Sequence, residues 1–157
     1  MPHARTLEGL CDRAEITDLI HAYCFHFDRA DPDGVAALFT EDAVIDYGPD
    51  VDIVTGAAAL HAMVTKGATT LFAATSHHVS NVTVTFETPD RATSNCYLYA
   101  WHRYRADGRE SELWGQYDHT FQRTGAGWRI ARLTLSAAGT RAFHRANMHP
   151  VPRKLGP

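Results

Sequence analysis

The chain has little cysteine, no long apolar run and no surplus of positive charge, and each shortage removes a class of protein. Cys11, Cys24 and Cys96 are odd in number and widely spaced, which argues against a disulfide framework and against zinc held by a Cys-x-x-Cys pair. They read as reduced packing residues. No apolar stretch approaches the roughly 18 to 20 residues of a membrane span, and Met1 to Glu8 lacks the apolar core of a signal peptide. The expectation is a cytoplasmic protein with no membrane partner. With 15 Lys and Arg against 18 Asp and Glu, nothing in the charge points to nucleic acid or anionic lipid. Internal repeats and low-complexity tracts are missing too. What remains is 157 residues, 45% hydrophobic, enough for one domain with a core and a cavity inside it. That domain is placed at 1–148, with a Pro- and Arg-containing tail at 149–157. Histidine is the one residue in excess, ten in all, and can serve catalysis, metal binding or neither.

Ile16, Leu19, Ile20, Tyr23 and Phe27 recur on one helix face, which predicts a first helix from about Leu7 to Arg29. It stops at Ala30-Asp31-Pro32-Asp33-Gly34, where proline disfavours helix in the residue before it. Asp33 is then read as the cap of a short helix carrying Val35, Leu38 and Phe39. Ala43 to Gly48 reads as a strand, and Gly56 to Lys66 as a third helix with Leu60 and Val64 inward. After Thr70 come four runs rich in β-branched and aromatic residues, at 75–87, 92–104, 113–123 and 128–135. Three short polar connections separate them and fit antiparallel hairpins. Helices first and strands after is the α+β pattern. The expected architecture is a cone-shaped, curved antiparallel sheet wrapped around N-terminal helices, with a binding cleft between the two.

Several weak motifs occur in a telling order. Arg13-Ala14-Glu15-Ile16-Thr17-Asp18-Leu19 is followed by Tyr23 and Asp28, then by Leu38-Phe39-Thr40-Glu41-Asp42-Ala43. Thr75-Ser76-His77-His78-Val79-Ser80-Asn81 contains His-x-x-x-Asn, and Gly127-Trp128-Arg129-Ile130 contains Gly-Trp-x-Ile. Together these resemble SnoaL-like members of the nuclear-transport-factor-2-like superfamily over roughly residues 7 to 136. Within it the likeness is to scytalone dehydratase, bile-acid 7α-dehydratase and hexachlorocyclohexane dehydrochlorinase. The resemblance implies an Asp on the first helix and a His on the first long strand, positions matched by Asp28 and His77. It also implies tyrosine donors, for which Tyr47, 19 residues after Asp28, and Tyr23, five before it, are placed. Two positions depart. The dehydrochlorinase's last-strand arginine is replaced by Leu133, with Arg132 on the opposite face, and the bile-acid enzyme's second aspartate is replaced near Ala100.

The chemistry implied is elimination by general acid–base catalysis, in which a neutral histidine removes a proton and a carboxylate on its other nitrogen stabilises the imidazolium. No cofactor is required. Tyr23 and Tyr47 would hydrogen-bond the oxygen on which charge develops. The substrate expected is a small hydrophobic, aromatic, polyketide- or steroid-like hydroxylated molecule, bound also by Phe27, His102 and His119. Strand alternation, however, groups His78 with Val82, Val84 and Phe86, and His77 with Asn81, Thr83 and Thr85. Periodicity alone sends His78 inward, whereas a bulge would send His77 there. Asp28 also has a plain reading as a helix-end capping residue, and the tyrosines as core aromatics. No histidine pair has metal-site spacing, and no metal is assigned. Isomerase or cyclase chemistry in the same pocket, or a non-catalytic subunit resembling a ring-hydroxylating dioxygenase β subunit, are the alternative functions. An aromatic band of Tyr97, Tyr99, Trp101 and Trp114 suggests a homo-oligomer, trimer or dimer.

Overall fold

A computed structural model of the chain describes residues 3–155. Helix α1 (Leu7–Asp28) is capped at both ends. The Thr6 side chain accepts a hydrogen bond from the Gly9 amide at 3.0 Å. At the other end Ala30 adopts φ +53°. Its amide donates to the Phe27 carbonyl, and that of Asp31 to the His26 carbonyl, the paired bonds that stop a helix through one left-handed residue. Asp28 is thereby the last residue of the helix. The face expected to be apolar is the buried one, with Ile16, Ile20 and Tyr23 almost fully enclosed.

Helix α2 (Pro32–Ala37) is capped by Asp31, not Asp33: the Asp31 carboxylate accepts from the Gly34 amide at 2.9 Å. Pro32 sits at the start of the helix, where its fixed φ and missing N–H are no handicap. Leu38 closes that helix and Phe39 belongs to strand β1 (Phe39–Asp46), which starts earlier than its apolar core at Ala43–Ile45 suggests. Strand β2 (Val54–Thr55) pairs with β1, and α3 (Ala57–Lys66) follows with Leu60 and Val64 buried. One wider turn, Gly67–Leu71, leads out of it.

Four long strands complete the fold: β3 (Phe72–Thr88), β4 (Arg91–Tyr104), β5 (Glu110–Thr124) and β6 (Gly127–Arg141). They are antiparallel neighbours, as the hairpin signals predict. The sheet as a whole is mixed, a correction to the all-antiparallel expectation. The chain crosses the open face from β1 to the far edge and returns through three hairpins, so β6 arrives beside β1 in the same direction. A short strand β7 (His149–Pro150) also pairs with β6 in parallel, so the expected tail begins inside the sheet. The sheet curves but stays open, and α1 packs in its hollow against β3 and β6. Trp128, Tyr23 and Phe121 are the largest fully buried side chains, and burying each such group stabilises the fold by roughly 1.5–3 kcal/mol.

The decisive irregularity lies in β3. Ser80 pairs with Tyr97 and Thr83 with Asn95, so β3 advances three residues where β4 advances two. Asn81 takes φ +54° there, a conformation Asn tolerates better than most residues. This one-residue bulge reverses the alternation. His77 and Val79 upstream of it therefore share the inner face with Val82, Val84 and Phe86 downstream, and His78 faces out. The aromatic band runs along the outer face, where Tyr99 donates to Glu112 and Trp101 to Glu110. Among the described residues no helix is long and apolar enough to cross a membrane.

Candidate functional site

Because α1 ends at Asp28, the carboxylate projects from the last helical turn toward β3, and three donors meet it there. His77 Nδ1 lies 2.6 Å from Oδ1, the Thr75 hydroxyl donates to the same oxygen at 2.8 Å, and the His77 amide donates to Oδ2 at 2.8 Å. Thr75 and His77 are two apart on one strand, which is why both reach one carboxylate. Burial raises the Asp28 pKa, but the hydrogen bonds and charge from His77 outweigh it and hold the carboxyl below its usual value. An ionised carboxylate only accepts. Neutral His77 therefore carries its proton on Nδ1 and keeps a lone pair on Nε2, which bonds no group of the protein among the described residues. The His77 side chain is 6% exposed.

His77 stands between two rings, Phe27 at 4.9 Å and 65° and His102 at 5.6 Å and 85°. Phe72 lies 5.0 Å from His102. Phe27 and Phe72 line a cavity of about 320 Å³ and also a hollow of about 60 Å³ that reaches Asp28 and Thr75. The hollow at Asp28 and the cavity thus share two aromatic walls. Burial, with the charges of His77, His144 and Arg145, pushes His102 down to about 3, so it stays neutral at working pH. A polar chain backs it: Ser111 Oγ lies 3.4 Å from His102 Nδ1, Tyr104 donates to Ser111 at 2.9 Å, and His144 Nδ1 lies 3.1 Å from the Tyr104 hydroxyl.

Tyr23 and Tyr47 meet hydroxyl to hydroxyl at 2.6 Å. Tyr47 lines the cavity and Tyr23 lies behind it, against Tyr117. Burial pushes the Tyr47 phenol up to about 12 and that of Tyr23 well above its usual value, so both remain protonated donors.

The structure brings Asp28, His77, Phe27 and His102 together and joins Tyr47 to Tyr23. It does not bring in His119. That residue is buried in the core against Tyr117 and Phe121, with Nδ1 3.0 Å from Ser94 Oγ, whereas the rings of His77 and His102 meet the cavity walls Phe27 and Phe72. Its strand parity is right for the inner face, but its position is too far down β5. His78 Nε2 bonds Ser76 Oγ instead of Asp28. Leu133 is buried inside and Arg132 exposed outside, as alternation required.

Sequence reasoning missed the residues after Leu135. Beyond β6 the chain folds back as a strap over the cavity, pinned where Asp50 accepts from the Ala146 and Asn147 amides and where His149 meets Asp46 at 2.9 Å. The strap delivers His144 and Arg145 to the cavity wall. No periodic pattern marks it, so only its Phe-His-Arg composition offered a signal.

A family model described as a SnoaL-like domain matches residues 8–134. A solved protein from Novosphingobium aromaticivorans, named as a candidate scytalone dehydratase, is 30% identical. It covers 94% of this chain and 98% of its own, with a TM-score of 0.87. A candidate aromatic ring hydroxylase from the same organism is also 30% identical, over 83% of this chain and 91% of its own, with a TM-score of 0.78. Hexachlorocyclohexane dehydrochlorinase LinA-type3 from Novosphingobium barchaimii, at 17% identity, shares the fold, covering 94% of this chain and 99% of its own with a TM-score of 0.80. Among curated protein sequences none matches.

Proposed function

The chain belongs to the SnoaL-like domain family, and from that premise we propose that it is a lyase that eliminates water from a small hydrophobic, hydroxylated substrate of aromatic, polyketide- or steroid-like character. The observation that carries this reading is the Asp28–His77 pair, with Nε2 unbonded and the His77 ring against Phe27, itself a wall of the cavity. His77 Nε2 removes a proton from a carbon next to a carbonyl, and Asp28 stabilises the imidazolium that forms. Tyr47, backed by Tyr23, donates to the carbonyl oxygen as enolate charge develops. The imidazolium then protonates the departing hydroxyl as the C–O bond breaks. An alkene and water leave, and the histidine is regenerated. Likeness to the candidate scytalone dehydratase supports this class of chemistry.

A β-hydroxytetralone is a suitable probe, because loss of water creates a conjugated chromophore. His77→Ala is expected to lower kcat/KM by roughly a thousandfold or more with unchanged circular dichroism. A folded variant with full turnover would reject the mechanism. Deuterium from solvent appearing at a new carbon, without loss of water, would replace elimination by isomerisation. The alternative reading is a non-catalytic subunit that assembles with a separate catalytic one. A chain that purifies alone and consumes substrate would exclude it. Self-association is proposed through the outer band around Tyr97 and Trp114, both exposed, and sedimentation of Trp114→Glu against the wild type would test it.

A further inference from the structure

A cation taken out of water without a carboxylate partner is costly, so a half-buried arginine lacking one marks a place that something else completes. Arg145 is such a residue. The described ion pairs of arginine engage Arg91, Arg109, Arg123 and Arg141, and none engages Arg145. Asp50, whose charge reaches it, has its oxygens taken by Ala146 and Asn147. Arg145 Nη1 donates to the Tyr47 carbonyl, Nε is buried with no partner, and the guanidinium lies 5.0 Å over the Phe143 ring. Nη2 and the second hydrogen of Nη1 are left unbonded to protein among the described residues.

The surroundings point the same way. Arg145 lines the 320 Å³ cavity, Lys66 stands at its rim, and among the described residues no acidic side chain belongs to its wall. Asp28 lies on the other side of Phe27 and Phe72, already occupied by Thr75 and His77. The planar guanidinium, held 5.0 Å from the Phe143 ring centroid, presents its remaining hydrogens as a fork, which matches a carboxylate.

We propose that the substrate carries a carboxylate, seated on Arg145 with Lys66 at the rim, while its hydrophobic body extends past Phe27 and Phe72 toward His77. The seat deepens the elimination reading and rests on it only for what happens at the far end. Pinned by the strap, the carboxylate would hold one end of the substrate fixed and set which carbon reaches Nε2.

Calorimetric titration with naphthalene-2-carboxylate and its neutral isostere naphthalene-2-carboxamide tests the seat without turnover. The wild type is expected to favour the carboxylate by about tenfold or more, with the preference shrinking as salt rises. Arg145→Gln is expected to abolish the preference, Arg145→Lys to keep part of it, and Lys66→Ala to reduce it severalfold. Equal affinity for the two probes in the wild type, no binding of either, or a full preference in folded Arg145→Gln would overturn the proposal. His77→Ala is expected to keep the preference, which separates this result from the test of elimination.

Discussion

Helix α1 carries a carboxylate near each end, Asp12 buried and Asp28 half-buried, and each meets a histidine. At the closed end Asp12 Oδ1 accepts from the Trp128 indole at 2.9 Å, and Oδ2 meets His3 Nε2 at 2.7 Å and the Arg123 guanidinium. Arg123 also lies 4.7 Å over the Trp128 ring. At the open end Asp28 meets His77 and Thr75, with no arginine bonded to it among the described residues. The first carboxylate has a permanent counter-charge. The second gains one only when His77 becomes protonated. That difference separates a clamp, whose interactions are complete in the resting protein, from the support of the proposed base, which would be worth most partway through a reaction.

Exchanging the two roles is the hardest test. Asp28→Asn is expected to lower turnover of the proposed elimination by roughly 10³ to 10⁴-fold, with a thermal midpoint within a few degrees of wild type. Asp12→Asn is expected to do the reverse, lowering stability by about 2–3 kcal/mol and leaving kcat per folded molecule unchanged. Activity and chemical denaturation of both variants read this out, and equal stability losses would erase the contrast. A smaller effect follows from pH. At both sites burial raises the carboxyl pKa and hydrogen bonding overcomes it, from Arg123, Trp128 and His3 at Asp12 and from His77 at Asp28. A carboxyl whose pKa is depressed in the folded state adds stability that is full above its unfolded value near ~4 and is lost as pH falls through the folded value. Wild type should therefore lose more stability on acidification below about pH 4 than Asp12→Asn does. Identical slopes of unfolding midpoint against pH would refute it. The smallest effect concerns the turn after Asp28. Ala30→Gly relieves the positive φ of the helix stop and is expected to stabilise by about 0.5–1 kcal/mol with activity intact; a lower melting temperature would count against that account of the turn.

How much of this was legible in the sequence depends on the range of the interactions. The α1 stripe, the three hairpins and the inward Leu60 and Val64 are local patterns, and the structure contains them. The pattern places the cap of α2 at Asp33 because a proline ordinarily breaks a helix, whereas Pro32 is the helix's first residue and Asp31 its cap. The parallel partnership of β1 with β6 joins segments about 90 residues apart and leaves no mark on either. Asp28 and His77 were legible through their resemblance to a family pattern, and periodicity alone favoured His78. Arg145 was illegible because its position depends on Asp50 and Asp46 holding the strap from elsewhere in the chain.

The bulge at Asn81 acts as a phase boundary in β3. Upstream and downstream of it the strand obeys the same two-residue rhythm, offset by one. Pairing Asn81 into a regular ladder, with the downstream half fixed, would slide the upstream half by one step and bring His78 opposite Ala100, where His77 now pairs. The chain thus carries an imidazole in each phase, and a site found by rhythm alone must be searched for in both.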